Sequence, residues 1–275
     1  MDGGQWDWIV PAGLWEIARP LLPAPRVRPQ GGGIVGVADE AVFAAIVYVL
    51  VSGCAWRALP PCFGASKSTV HRRFLIWSRA GVWERLHQAV LDRLAADDLL
   101  DVSRVVLDSA HVRAKKGGEH TGPSPVDRGK PGSKLHVLSD AAGLSLVVGL
   151  SAANTPDSRE LKPMVTRLQS RHDPVSGRYR KIGKPGKLHA DKAYDHSELR
   201  RWLRGKRIGV RIARKGVESG QRLGRHRWVI ERTISWLFGY RRLSPRYERR
   251  PYAYLAFLTL AAAVTCHKRH LKLTM

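Results

Sequence analysis

The chain has 275 residues, 44% of them hydrophobic and 25% charged. That is enough apolar material for a packed core and excludes wholesale disorder, and the length suggests about two domains. Lys and Arg number 47 against 23 Asp and Glu, a net charge of +24. Residues 1–103 hold ten basic and ten acidic side chains, so the whole excess lies in 104–275, with 37 basic and 13 acidic. The expectation is a polyanion-binding domain over 104–275 behind a neutral one over 1–103, because acidic charge would serve solubility better than basic charge.

The opening MDGGQWDWIV carries acid and tryptophan where a secretory signal carries Lys or Arg, so secretion is not expected. The apolar runs at 41–51 and 253–264 contain 11 and 12 residues, too short to span a bilayer, and read as buried helices. Cys54, Cys62 and Cys266 form no CxxC pair and predict no disulfide framework. The chain reads as a soluble cytoplasmic protein.

Along the chain, a short helix around Trp15 stops at Pro20, and a proline-rich loop follows. Asp39 predicts the cap of a helix over 40–52, ended by Gly53. Ser66 or Ser68 caps a second helix through Val70, Phe74 and Trp77 to about Ala80. Val82, Leu86, Val90 and Leu94, spaced by four, mark a third. The layout resembles a helix-turn-helix region, as does any helical bundle. Trp56, Trp77 and Trp83 read as core.

The texture changes near 103. SRVVLD predicts a short strand ending on Asp108. After a glycine-rich basic stretch, KLHVLSD and LSLVVGL predict a strand pair turned at Ala142–Gly143. A helix follows, capped by Asp157 or Ser158, and then a basic loop over 171–186. GKLHAD gives a strand ending on Asp191, YDHSELRRWLRGK a helix, and RIGVRIA a strand. A last helix from about 225 carries Trp228, Ile230, Ile234 and Leu237. The order is that of an α/β unit, a mixed sheet with helices across it.

Three acids stand out. Asp108 and Asp191 sit at predicted strand ends, where α/β sheets place ligand crevices. Glu231 lies on an apolar helix, in a segment (220–250) with nine Arg and only one other acid, Glu248. Carboxylates brought together repel unless cations lie between them, and oxygen-only ligands suit Mg²⁺ or Mn²⁺. A two-metal site for in-line attack on a phosphodiester is the chemical reading. The alternatives stay open: a strand-end Asp is often a turn or cap residue, Asp140 ends a strand as well, and Glu231 could pair with Arg227 one turn earlier.

LDSAHVRAKK, VDRGKPGSKLH, HADKAYD and RHRWVIERTISWLFGYRRLSPRYERR resemble the DDE transposases of bacterial insertion sequences, the insertion sequence five family. WRALPPCFG and TVHRRFLIWSRAGVWERL resemble that family's helical N-terminal region. The resemblance implies a ribonuclease-H-like catalytic domain with Asp108, Asp191 and Glu231 as catalytic residues and metal ligands. It further implies two Mg²⁺ ions with Mn²⁺ as substitute, double-stranded DNA as substrate, at least a homodimer on DNA, and a nucleoid-associated location. The family signature around the glutamate keeps Arg227 and Glu231, but Gly224 stands where a Tyr would and Phe238 where a Lys would. Arg241 and Arg242 are candidates for the missing charge.

Lys115, Lys116, Arg128, Lys130 and Lys134, near Asp108, and Lys192, beside Asp191, are expected to contact phosphates. Tyr194 is read equally as a phosphate contact or as packing. Lys67, Arg72 and Arg73, with His71, are candidates for reading a major groove. No H-x-x-R, Walker or G-x-S-x-G pattern occurs, which excludes tyrosine recombinase, nucleotide-hydrolysing and serine-hydrolase chemistry. Cys266, His267 and His270 lack a second ligand pair for zinc and read as caps of the C-terminal helix.

Overall fold

The computed structural model describes residues 4–24, 36–170, 184–214, 216 and 220–274, and for 220–227 the backbone only. The predicted basic loop lies almost wholly outside the described residues. Eight helices are described: α1 (Leu14–Ala18), α2 (Asp39–Ser52), α3 (Lys67–Arg79), α4 (Val82–Ala96), α5 (Ser158–Gln169), α6 (Ser197–Gly205), α7 (Gly220–Phe238) and α8 (Pro251–Thr274). The strands are β1 (Arg104–Arg113), β2 (Gly122–Pro123), β3 (Pro131–Ser139), β4 (Ser145–Ala152), β5 (Lys187–Ala190) and β6 (Gly209–Ile212).

Local chemistry explains most boundaries. Gly53 closes α2 in the left-handed conformation (φ 70°), which costs a residue without Cβ little. Ser66 caps α3, its hydroxyl accepting from the Thr69 N–H at 3.2 Å. Asp39 does not cap α2. It is that helix's first residue, and its carboxylate pairs with Arg73 of α3 at 2.5 Å, an ion pair that competes with capping for the same oxygens. At the C-terminus the capping expectation also fails, because α8 runs on to Thr274. Cys266 and His267 are buried along it, His267 Nε2 lies 2.7 Å from the Ala12 carbonyl, and His270 pairs with Asp97 at 2.5 Å.

The sheet is mixed. β1, β3 and β4 are antiparallel neighbours, with β2 pairing the start of β3, while β5 and β6 run parallel to β1 in the order β3-β1-β5-β6. This is the mixed sheet flanked by helices expected from the sequence. β1 is longer than expected: it continues through Ser109–Arg113, each paired with β3, so Asp108 lies mid-strand rather than at an end. The extension pairs with the buried stretch His136 to Gly132 of β3, where unpaired backbone groups would be costly.

One hydrophobic cluster runs from Trp6 through the sheet to Cys266. α8 lies along α4 and also meets α3, α7 and β4. Phe257 of α8 stacks on Phe74 of α3 with ring centroids 4.3 Å apart, and Trp77 and Trp83 are fully buried. The neutral N-terminal segment and the basic C-terminal one therefore share a core. No helix among the described residues is long and apolar enough to cross a membrane.

Candidate active site

Parallel pairing of β1 with β5 sets Val106 level with His189. Continuing that register by two residues puts Asp108 level with Asp191, which follows the end of β5. Residues level on adjacent strands project from the same face, so this register sets the two aspartates, 83 positions apart, on one face of neighbouring chain segments. Asp191 opens a single 3₁₀ turn and accepts from the Ala193 N–H at 2.8 Å. Asp108 accepts from the Ser109 N–H, also at 2.8 Å. Both are half-buried.

The opposite face carries a polar layer that sequence reading did not find. Ser109 is level with His136, and His111 with Lys134. Lys134 is 4% exposed and pairs with Asp157 at the start of α5, Nζ to Oδ1 at 2.9 Å. The Ser109 hydroxyl donates to the same Oδ1 at 2.8 Å. Ser109 thus holds Asp108 with its backbone and Asp157 with its side chain. Asp157 occupies the expected cap position but makes no side-chain cap bond; its carboxylate faces the lysine. The only signal in the sequence was a lysine and a histidine alternating within an apolar strand. Its partner stands 23 positions away and could not be named from spacing.

Tyr194 is 1% exposed, and its hydroxyl has no hydrogen-bond partner among the described residues. Burial pushes its phenol well above the ordinary value, and the charges of Asp157, Asp108, Asp191 and Glu160 add to that. The tyrosine is therefore packing, surrounded by four carboxylates. Burial also lowers His136 to about 4, so that ring is neutral at pH 7 and bonds Ser151 through Nε2 at 2.8 Å.

Glu231 is exposed on α7, which lies across β1, β3 and β5. Thr233, two residues on, donates to the Gly143 carbonyl at 2.7 Å. Gly143 lies in the β3–β4 turn, beyond the Val106–Ser139 pair. This bond ties α7 to the β3–β4 turn. Among the described residues no three His, Cys, Asp or Glu side chains stand close enough together to hold a metal ion. Asp140 does not compete for the site. It is buried in the same turn and accepts from the N–H groups of Asp101 (3.2 Å), Ala142 (3.0 Å) and Leu144 (2.7 Å).

The basic candidates fall into three groups. Lys115, Lys116, Arg128, Lys130, Lys192, Arg241, Lys67 and Arg72 are exposed. Lys134, Arg242 and Arg73 are engaged within the protein. Lys134 is spent on Asp157. Arg242 is 5% exposed, bonds Glu248 at 2.8 Å and the Cys54 carbonyl at 2.8 Å, and lies over Trp56 and Phe257. It ties the C-terminal segment to the N-terminal one and does not replace the charge missing at Phe238. The side chain of Arg227 lies outside the described residues. Sequence reading also missed Arg246, which is 1% exposed and bonds the carbonyls of Glu119, His120, Glu248 and Arg249 and the Ser133 hydroxyl.

As a metal platform the donor set fits in chemistry. Asp108 and Asp191 supply carboxylate oxygens, with no thiolate or imidazole in the pair, as a hard divalent cation requires. The pair is present; the third carboxylate is not gathered to it.

The mixed sheet sets the two aspartates level on β1 and just after β5, and comparison with known proteins identifies the family. Residues 101–266 match the family described as "Transposase DDE domain", and residues 10–87 match "Putative transposase of IS4/5 family". The chain belongs to the DDE transposase family. It is 39% identical over 164 residues to "Putative transposase for insertion sequence element IS402" of Burkholderia cepacia, covering 59% of this chain and 74% of that protein. It is also 39% identical over 119 residues to "Insertion element IS402 uncharacterized 16.2 kDa protein" of the same organism, covering 42% and 81%. Among solved structures, the catalytic domain of Mos1 mariner transposase aligns over 68% of this chain and 91% of its own, at 12% identity and a TM-score of 0.28.

Proposed function

We propose that the protein is an active transposase. It binds the inverted-repeat ends of its own element, cleaves the phosphodiester bonds there and joins the freed 3′-hydroxyls to target DNA. The observation that carries this reading is the level placement of Asp108 and Asp191 on neighbouring parallel strands, in a chain that belongs to the DDE family. In this reading Asp108, Asp191 and Glu231 hold Mg²⁺, or Mn²⁺ in its place. When bound, the metal supplies charge neutralisation and activation of the attacking oxygen.

The protein's own groups do the positioning. Backbone N–H bonds from Ser109 and Ala193 fix the two aspartates, and the exposed lysines at 115, 116, 130 and 192 lie near them in sequence and attract the DNA backbone. Exposed Lys67 and Arg72 of α3 read element-end sequence. Cutting two ends together requires at least a dimer on DNA.

The test uses labelled duplexes carrying the ends that flank the gene, a supercoiled target plasmid, and Asp191→Asn beside the wild type. The expected result is joined product from the wild type and none from the variant, with end binding unchanged. Full joining by Asp191→Asn would remove the metal-site assignment. Cleavage without joining by the wild type would make the protein a nuclease.

A further inference from the structure

Arg104, Lys187, His189 and Arg211, together with Asp101 and Ser103, line a cleft of about 480 Å³. Register explains why its basic groups converge. Arg104 of β1 is level with Lys187 of β5, and His189 of β5 is level with Arg211 of β6. Level residues, and residues two apart on one strand, project from the same face. That face is the one bearing Asp108 and, by continuation, Asp191. The alternate residues Val105, Leu107, Leu188, Ala190 and Ile212 point the other way and are buried.

A sheet face normally carries apolar side chains toward a covering layer. Here Lys187 and Arg211 are exposed and His189 is half-buried. Asp101 is the one acid lining the cleft, and its carboxylate is turned onto the Ser103 N–H at 2.9 Å. The Arg104 guanidinium is steadied by the Ala141 carbonyl at 3.2 Å. The result is a concave, positively charged strip on the face that carries Asp108.

We infer that this cleft is a phosphate-binding track for the DNA strand that runs away from the reacting bond, with Lys187 and Arg211 as its principal contacts. The inference rests on the transposase reading and adds a site to it. From Lys187 to Asp191 is four strand residues, roughly 13 Å, or about four nucleotides of duplex at ~3.4 Å each. The track therefore holds DNA flanking the bond, not the bond itself.

The probe is equilibrium binding of a fluorescent duplex of about 30 base pairs, followed by anisotropy from low to moderate salt. One duplex carries the gene-flanking end and a second is unrelated in sequence. Lys187→Glu with Arg211→Glu is expected to weaken binding at least tenfold at about 0.1 M salt, and to lower the log–log salt slope by about 2, since each phosphate contact contributes ~0.9. Lys187→Arg with Arg211→Lys should retain wild-type binding. Arg201→Glu with Arg204→Glu, exposed charges on α6 that do not line the cleft, serves as the control and should change it less than about twofold, because exposed charges outside the contact are screened. Circular dichroism shows that each variant is folded.

Loss on the end duplex alone assigns the track to the element end, loss on the unrelated duplex alone to target DNA, and equal loss to backbone contact with either. Equal weakening by the α6 control shows a general charge effect and overturns the inference, as does unchanged binding by the cleft variant. If the wild type binds neither duplex, the transposase reading fails and this inference with it. If the wild type binds and the cleft variant does likewise, only the cleft is refuted.

Discussion

Two buried charged residues show how this chain treats charge it cannot solvate. Lys134 and Asp157 form a pair inside the protein, with Ser109 supplying an extra hydrogen bond. Removing one partner of a fully buried pair costs about 3–5 kcal/mol, and the cost here is less, about 1–3 kcal/mol, because Asp157 is 20% exposed and keeps its Ser109 bond. Lys134→Ala is therefore expected to lower the unfolding free energy by about 1–3 kcal/mol in urea titrations. If instead Lys134 served only as a phosphate contact, stability would be unchanged and DNA affinity would fall. Asp140 behaves differently because its burial outweighs the charge of Arg232 and the turn N–H groups. Burial raises its pKa from 3.8 to about 6, against the pull of its backbone N–H bonds. The folded state then binds the proton more tightly than the unfolded chain does. Its contribution to stability is greatest below about pH 4 and is lost as pH rises through 6, by at most about 3 kcal/mol. Asp140→Asn keeps an acceptor for the turn N–H groups and should flatten this part of the pH–stability curve between pH 4 and 7. A curve identical to that of the wild type would contradict the assignment.

At the scale of elements, α7 is the decisive piece because it carries Glu231. Its anchor is the β3–β4 turn, where Gly143 has φ 92° and an added Cβ would stand 2.8 Å from Thr233 Oγ1. Gly143→Ala combines a disfavoured backbone conformation with that clash. It should destabilise the protein by roughly 1–3 kcal/mol and lower its melting temperature measurably by calorimetry. An unchanged melting temperature would show that α7 is not held at this turn.

The elements that sequence revealed best were those with local signals. Gly53, Ser66 and the Ala142–Gly143 turn each act within a few residues of themselves, and the strand and helix order followed. What was hidden depended on partners far along the chain. Asp39 looked like a cap because Arg73, 34 positions away, is invisible to spacing. Arg242 and Lys134 looked like surface cations for the same reason. Asp108 and Asp191 were found, but only pairing of β1 with β5 shows them level.

For the whole molecule, the charge boundary near 103 is not a boundary in the core. α4 and α8 pack along each other, and Arg242 bonds the Cys54 carbonyl. Residues 104–275 expressed alone would expose the apolar face of α8, where Phe257, Leu260, Ala261 and Val264 are buried. Such a fragment is expected to aggregate or to lack a cooperative thermal transition. A soluble fragment that melts cooperatively would show two independently stable domains.

The most direct measurement is a strand-transfer assay with Mg²⁺, with EDTA, and with Glu231→Gln in place of the wild type. Glu231 is the informative residue, since the proposed site requires it and the described residues do not group it with the two aspartates. The account predicts joined product that requires both the metal and Glu231, with end binding preserved in the variant. Joined product formed equally by Glu231→Gln, or in EDTA, would contradict it.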